Sequence, residues 1–132
     1  MADYRALAEL RYQVRLFLSF SERAARAAGL EPQQHQLLLA IKGLPEGLRP
    51  TIKTLAERLC VKHHTVVALT DQVEARTLVR RDRSSTDRRE VLLTLTPKGE
   101  RILQGLSVLH REQLRGVGRH LVDTIAEVLS PG

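Results

Sequence analysis

Residues 51–76 read TIKTLAERLCVKHHTVVALTDQVEAR, and this stretch decides the fold. Thr51 is a favourable helix N-cap, and Ile52, Leu55, Ala56 and Leu59 then recur at three- and four-residue steps, the period of one helix face. Cys60-Val61-Lys62 breaks the run. Helical periodicity resumes from His63 to about Arg76 through Val66, Leu69, Thr70 and Val73. The first of these helices is too short to be stable alone, so it must be packed. Two helices joined by about three residues, with a small residue at the joint, make a helix-turn-helix.

Working downstream, Leu78–Asp82 and Glu90–Thr94 predict two strands, with Val91 and Leu93 alternating in the second. The intervening segment, Arg83 to Arg89, is too polar for a core and reads as the basic tip of a hairpin. Thr96 caps and Pro97 starts a further helix through Ile102, Leu103, Leu106 and Leu109. Gly116 and Gly118 predict an interruption, leaving His120–Leu129 as a last short helix. Upstream, Asp3 to Ala28 holds no Pro or Gly and ends at Gly29. Leu7, Leu10, Val14, Phe17, Leu18 and Ser21 form its apolar stripe, flanked by the i,i+4 pairs Arg5/Glu9 and Glu22/Arg26. Pro32 opens a second, mostly buried helix carrying Leu37, Leu38, Leu39 and Ile41, and residues 44–50 form a turn-rich connector. The expected fold class is mostly α with a small β-hairpin wing.

Composition sets bounds on function. A chain of 132 residues suits one domain, and 42% hydrophobic with 27% charged residues suits a soluble one. The net charge of +6 favours a polyanionic partner. Seventeen of the 21 basic residues are arginine, which fits phosphate and guanine edges, although a GC-rich genome produces the same bias. Residues 76–89 hold six arginines against two aspartates, so two-thirds of the net charge falls in 14 residues. The four aromatic residues, Tyr4, Tyr12, Phe17 and Phe20, all lie in the first helix, which disfavours single-strand readers that stack bases on rings. A lone cysteine, Cys60, forms no intrachain disulfide and suits a reducing cytoplasm. The N-terminus lacks a signal-peptide layout, and no apolar run approaches the ~18 residues that span a membrane. Cytoplasmic location is the expectation.

In this order of elements the second helix of the turn motif can enter a major groove while the hairpin tip reaches the neighbouring minor groove. Residues 30–99 resemble the MarR (multiple antibiotic resistance regulator) family almost end to end. The matching pieces are Leu30-Glu-Pro-Gln-Gln, Leu55-Ala-Glu-Arg-Leu59, and Thr65-Val66 with Leu69, Asp71 and Glu74. Leu78-Val-Arg-Arg81, Asp87-Arg-Arg89 and Leu95-Thr-Pro-Lys-Gly99 complete them.

The resemblance implies a single domain over residues 1–132, with a winged helix-turn-helix DNA-binding lobe at 30–96 and dimerisation helices at 3–29 and 97–132. Its partners would be a second copy of the chain and a pseudo-palindromic double-stranded operator. DNA-binding residues would be Lys62, His63, His64, Thr65, Val67, Arg81, Asp87, Arg88 and Arg89, with Arg89 in the minor groove and Asp87 orienting the loop. Leu7, Leu10, Val14, Leu121, Ile125 and Leu129 would form the dimer seam. The family's small effectors, often aromatic or phenolic, occupy a cleft between the dimerisation helices and the DNA-binding lobe, where Tyr12, Phe17 and His35 are candidates. Tyr12, Phe17 and Phe20 equally suit plain packing.

Four departures from the family pattern stand out, one of them a tail after Gly99 that is shorter than usual and bears on the dimer contacts of the last helix. Lys62-His63-His64 replaces Ser-x-Ser, which removes the helix cap at a cost of about 1 kcal/mol while adding a basic tip. Ala68 replaces an arginine. Thr77 stands where a glycine is usual, and a positive φ there would be strained. Thr65 suits either a phosphate contact or a local cap.

Protonating His63 or His64 would add phosphate attraction. Cys60 reads as a small buried turn residue, since the family's peroxide sensors carry their cysteine in the first helix. Cys60, His35, His110 and His120 lack tight ligand spacing, so they read as separate side chains and no metal or cofactor is expected. Rival functions are a winged-helix protein–protein module and a small enzyme. The Asp87-Arg88-Arg89 run argues against the first, and the want of a phosphate loop, carboxylate pair or nucleophile elbow argues against the second.

Overall fold

The computed structural model describes residues 4–131 apart from 85, 87 and 88. Its elements are α1 (Tyr4–Ala27), α2 (Pro32–Lys42), α3 (Ile52–Leu59), α4 (His63–Ala75), β1 (Val79–Arg83), β2 (Val91–Leu95) and α5 (Pro97–Leu129). The expected mostly helical fold with one hairpin is what the chain forms.

Thr51 caps α3 by accepting the Thr54 amide at 3.1 Å. The turn into α4 is tight: Cys60 is left-handed (φ 57°, ψ 41°), and the Val61 amide donates back to the Ala56 carbonyl at 3.1 Å. A left-handed non-glycine residue costs about 1 kcal/mol, which the surrounding packing sustains. The side chain at that cap turns outward, so Cys60 is exposed rather than buried, and Val61 packs against the core in its place. In α4 the buried residues are Val66, Leu69, Thr70 and Val73, as the periodicity predicts. Val66, Leu69 and Val73 join Leu37, Leu38 and Ile41 of α2 and Leu55 of α3 in one core. Leu39 departs from expectation. It lies on the outer side of α2 and is 44% exposed.

The hairpin is antiparallel, with Val79 opposite Leu95 and Arg83 opposite Val91. Val79, Leu93 and Leu95 face the core, and the Leu93 amide donates to the Pro50 carbonyl at 2.9 Å, fastening the strand to the chain that enters α3. Thr77, just before the hairpin, has φ 58°, the left-handed value expected from its place in the sequence. Its carbonyl accepts the Thr96 hydroxyl at 2.6 Å, and Thr96 also caps α5 by accepting the Gly99 amide at 3.1 Å.

One expectation fails. Gly116 and Gly118 do not interrupt anything: α5 runs unbroken for 33 residues, roughly 50 Å at 1.5 Å per residue. Each glycine costs the helix about 1 kcal/mol, and contacts with α1 along both halves of α5 hold it straight through. Gln13 donates to the buried Thr124 hydroxyl at 2.8 Å, and His110 Nε2 lies 2.8 Å from Ser21 Oγ. The anticipated Glu9 and Glu22 pairs give way to longer-range partners, with Glu9 meeting His120 at 3.2 Å and Arg26 approaching Glu31 at 3.9 Å. Among the described residues no helix is long and apolar enough to cross a membrane.

Candidate nucleic-acid interface

The interface candidate has two parts, the start of α4 and the hairpin. Lys62 sits at the N-cap of α4 with no side-chain capping bond, and no acidic residue lies in the first turn. The free backbone N–H groups there carry the positive end of the helix dipole, which favours anions. Lys62, His63 and His64 are exposed, while Thr65 and Val67 are half-buried. Ala68 is exposed as well, so this position on the helix face presents only a methyl group.

The hairpin is held to α4 by charge. Arg81 of β1 pairs with Asp71, and its Nε donates to Glu74 at 3.2 Å. Two carboxylates one helical turn apart thus grip one guanidinium, which commits Arg81 to α4. On the neighbouring strand position Arg80 donates to Asp82 at 3.1 Å. Arg89 lies exposed in the turn that leads into β2. Asp87 and Arg88 lie outside the described residues.

Sequence reasoning passed over two groups that shape this site. Gln34, buried on α2, donates to Gln72 at 3.0 Å and accepts from Arg76 at 3.2 Å, tying α2 to the outer half of α4. Arg49, in the connector before α3, meets Glu90 at 2.5 Å and Ser84 at 2.7 Å. Neither has a local signal, because an isolated polar residue in a helix or a Pro- and Gly-rich connector is surface by default.

The effector candidates separate in space. A cavity of about 220 Å³ opens between α1 and α5 themselves, not between them and the lobe at 30–96 as expected, with Phe17, Phe20 and Leu114 among its walls and Arg23, Gln13 and His120 among its polar groups. Phe17 lines it, Tyr12 does not, and His35 lies behind it. His35 is 2% exposed, and its ring centroid is 5.1 Å from that of His110, which in turn meets Phe17 and Phe20 edge-on at 5.8 and 5.3 Å. Of the three histidines read as separate, His35 and His110 are therefore brought together, while His120 meets Glu9 instead. Burial, and then the charge of His110, hold the His35 imidazole below the ordinary histidine range. Among the described residues no group of three or more metal-ligating side chains occurs. Of the dimer-seam candidates, Leu7, Val14, Ile125 and Leu129 are exposed, and Leu10 and Leu121 are half-buried.

Comparison with known proteins agrees with this geometry. The family model described as MarR family matches residues 28–90. A Thauera aromatica protein, provisionally described as a transcriptional regulatory protein for the hcr operon, is 30% identical over 105 residues, or 78% of this chain. The chain spans about 61% of that relative's length. Among solved structures, a MarR family transcription regulator superposes with a TM-score of 0.79 at 21% identity, covering 94% of this chain and 82% of its own. The transcriptional repressor CouR, bound to a 23-mer DNA duplex, superposes with a TM-score of 0.69 at 27% identity, covering 93% and 90%. CouR from Rhodococcus jostii RHA1 is also known bound to p-coumaroyl-CoA, at 21% identity and the same coverage. Residues 28–90 thus match the MarR family model, and the whole length has the fold of the MarR family transcription regulators.

Proposed function

We propose that the protein is a cytoplasmic, homodimeric repressor that binds a pseudo-palindromic duplex through residues 30–96 and is released by a small-molecule effector. The observation that carries this reading is the coupling of a basic hairpin to α4 through Arg81, Asp71 and Glu74. That coupling fixes the spacing between a helix suited to the major groove and a hairpin suited to the minor groove. Lys62, His63, His64, Thr65 and Val67 belong to the groove-facing start of α4, and Arg88 and Arg89 to the wing tip, with Asp87 orienting it. Arg81 acts on DNA through the placement of the wing.

Two copies associate through α1 and α5, where Leu7, Val14, Ile125 and Leu129 leave apolar side chains exposed and Leu10 and Leu121 back them. An aromatic or phenolic effector suits the α1–α5 cavity, whose Phe17 and Phe20 walls offer ring faces and whose Arg23 and His120 offer hydrogen-bond donors. His35 supports its wall from behind through His110, and Tyr12 has no place in it. The DNA complex of CouR, itself a repressor, supports the reading.

Enrichment of bound duplexes from a random library tests it. The expected product is a two-half-site consensus bound with a steep salt dependence. A stable monomer, or no enrichment at low ionic strength, overturns it.

A further inference from the structure

The wing tip is held at both its ends by one side chain. Arg49 lies in the connector that feeds α3, two residues before the Thr51 cap. Its Nη1 lies 2.5 Å from Glu90 Oε1, and its Nη2 donates to Ser84 Oγ at 2.7 Å. Ser84 directly follows β1 and Glu90 directly precedes β2, so the two prongs of one guanidinium grip the two chain ends between which the tip is strung. Those ends also meet each other, since the Ser84 amide donates to the Glu90 carbonyl at 3.0 Å. Ser84 Oγ further accepts the Thr86 amide at 3.2 Å, which extends the grip into the tip. The next residue, Pro50, accepts the Leu93 amide at 2.9 Å, a second tie between connector and hairpin.

We infer that Arg49 is a positioning residue for DNA binding, setting the wing tip relative to the helix-turn-helix without touching DNA itself. The charge arithmetic favours this over a phosphate contact. Arg49 is matched by Glu90, whose buried Oε1 meets it as an ion pair at 2.5 Å though outside hydrogen-bond geometry, so the pair is close to neutral. A planar fork is what the geometry requires, since a lysine would supply a charge but only a single point of attachment. Losing Arg49 leaves a half-buried carboxylate, with Oε1 its buried oxygen, without its ion-pair partner, and loosens the chain ends beside it. The inference rests on the proposed role of the wing tip in DNA binding, and the test separates the two.

The experiment has two arms. In the free protein, amide hydrogen exchange is compared between wild type and Arg49→Gln. Exchange at Ser84 and Leu93 should accelerate about tenfold while that of the α4 core is unchanged. No acceleration overturns the inference. In the second arm duplex affinity is measured for Arg49→Gln, Arg89→Ala and the double variant on the selected operator.

Arg49→Gln should weaken binding about tenfold in the wild-type background and far less when Arg89 is already gone. Adding Glu90→Gln to Arg49→Gln should restore much of the affinity by removing the stranded charge. Losses that multiply in the double variant, with a salt slope lowered by about 1 for Arg49 itself, mark a direct phosphate contact and overturn the inference. Wild-type affinity in Arg89→Ala would instead sink the role of the wing tip in binding, and the exchange result alone then decides whether Arg49 holds the wing.

Discussion

Gly99→Ala reverses the sign that helix propensity assigns to it. Gly99 lies in the first turn of α5, where propensity alone makes alanine better than glycine by up to about 1 kcal/mol. A Cβ built there falls well inside the van der Waals boundary of the Leu78 carbonyl oxygen, 3.1 Å from the carbonyl carbon and 3.4 Å from Cα. The obstacle is backbone, so no side chain can swing aside, and relief takes a displacement of about 1 Å. Leu78 is fully buried, and its carbonyl also accepts the Thr96 amide at 3.0 Å. Its neighbour Thr77, at φ 58°, is held through the Thr96 hydroxyl. Overpacking of this kind costs about 1–3 kcal/mol, and each strained hydrogen bond adds about 1 kcal/mol, giving a net loss of about 2–4 kcal/mol after the propensity gain.

The assay is urea unfolding at fixed protein concentration, because association into the proposed dimer would couple to folding. Gly105→Ala is the internal control. An added Cβ there meets nothing within 4 Å, so it should stabilise by about 0.5–1 kcal/mol. If Gly99→Ala proves as stable as Gly105→Ala, the close docking of α5 on Leu78 is wrong.

Four further outcomes are expected. Arg89→Ala should weaken operator binding by about 1–3 kcal/mol in a gel-shift titration, and unchanged affinity would remove it from the interface. Lys62→Ser should restore the missing cap of α4 and stabilise the protein by about 1 kcal/mol on thermal unfolding while weakening DNA binding; a gain in both would mean that Lys62 faces away from phosphate. Cys60→Gly should stabilise by about 1 kcal/mol, because the residue is left-handed and exposed and so loses strain but little packing. Destabilisation would show that the thiol makes a contact worth more than the backbone strain.

The fourth concerns acid. The folded protein holds His35 below its ordinary value of 6.5, so as pH falls through 6.5 the unfolded chain takes up a proton that the folded one resists. Stability from this group is fully present above that pH and is lost as pH falls towards the lower folded value, with a slope of at most about 1.4 kcal/mol per pH unit. His35→Gln should flatten urea-derived stability between pH 7.5 and 5.5 relative to wild type, and parallel curves would show that the ring is not shielded.

Residues 51–95 were legible as a sequence because their information is local. A cap, an apolar period of 3.6, a three-residue break and an alternating strand each depend on neighbours within a turn or two, and the same steric rules apply in any surroundings. Thr77 was legible for a similar reason, since its place in the family pattern called for a left-handed residue. The two glycines of α5 misled for the complementary reason. Intrinsic propensity is worth about 1 kcal/mol per residue, and α1 packed along the helix outweighs it, a term that no window of sequence contains.

Cys60 shows the same limit at a smaller scale. Composition favours burying a small thiol, but the left-handed cap points it outward, and only the chain path through α3 and α4 decides that. The grip of Arg49 on Ser84 and Glu90, of Gln34 on Gln72 and Arg76, and the meeting of His35 with His110 join residues 35 or more positions apart. Polar and imidazole groups that far apart find one another only after the apolar core has closed, because it is burial that makes their pairing obligatory. The order of elements and the chemistry of their surfaces therefore come from the chain itself, whereas which charges are neutralised, which histidine is buried and how the wing is aimed come from packing.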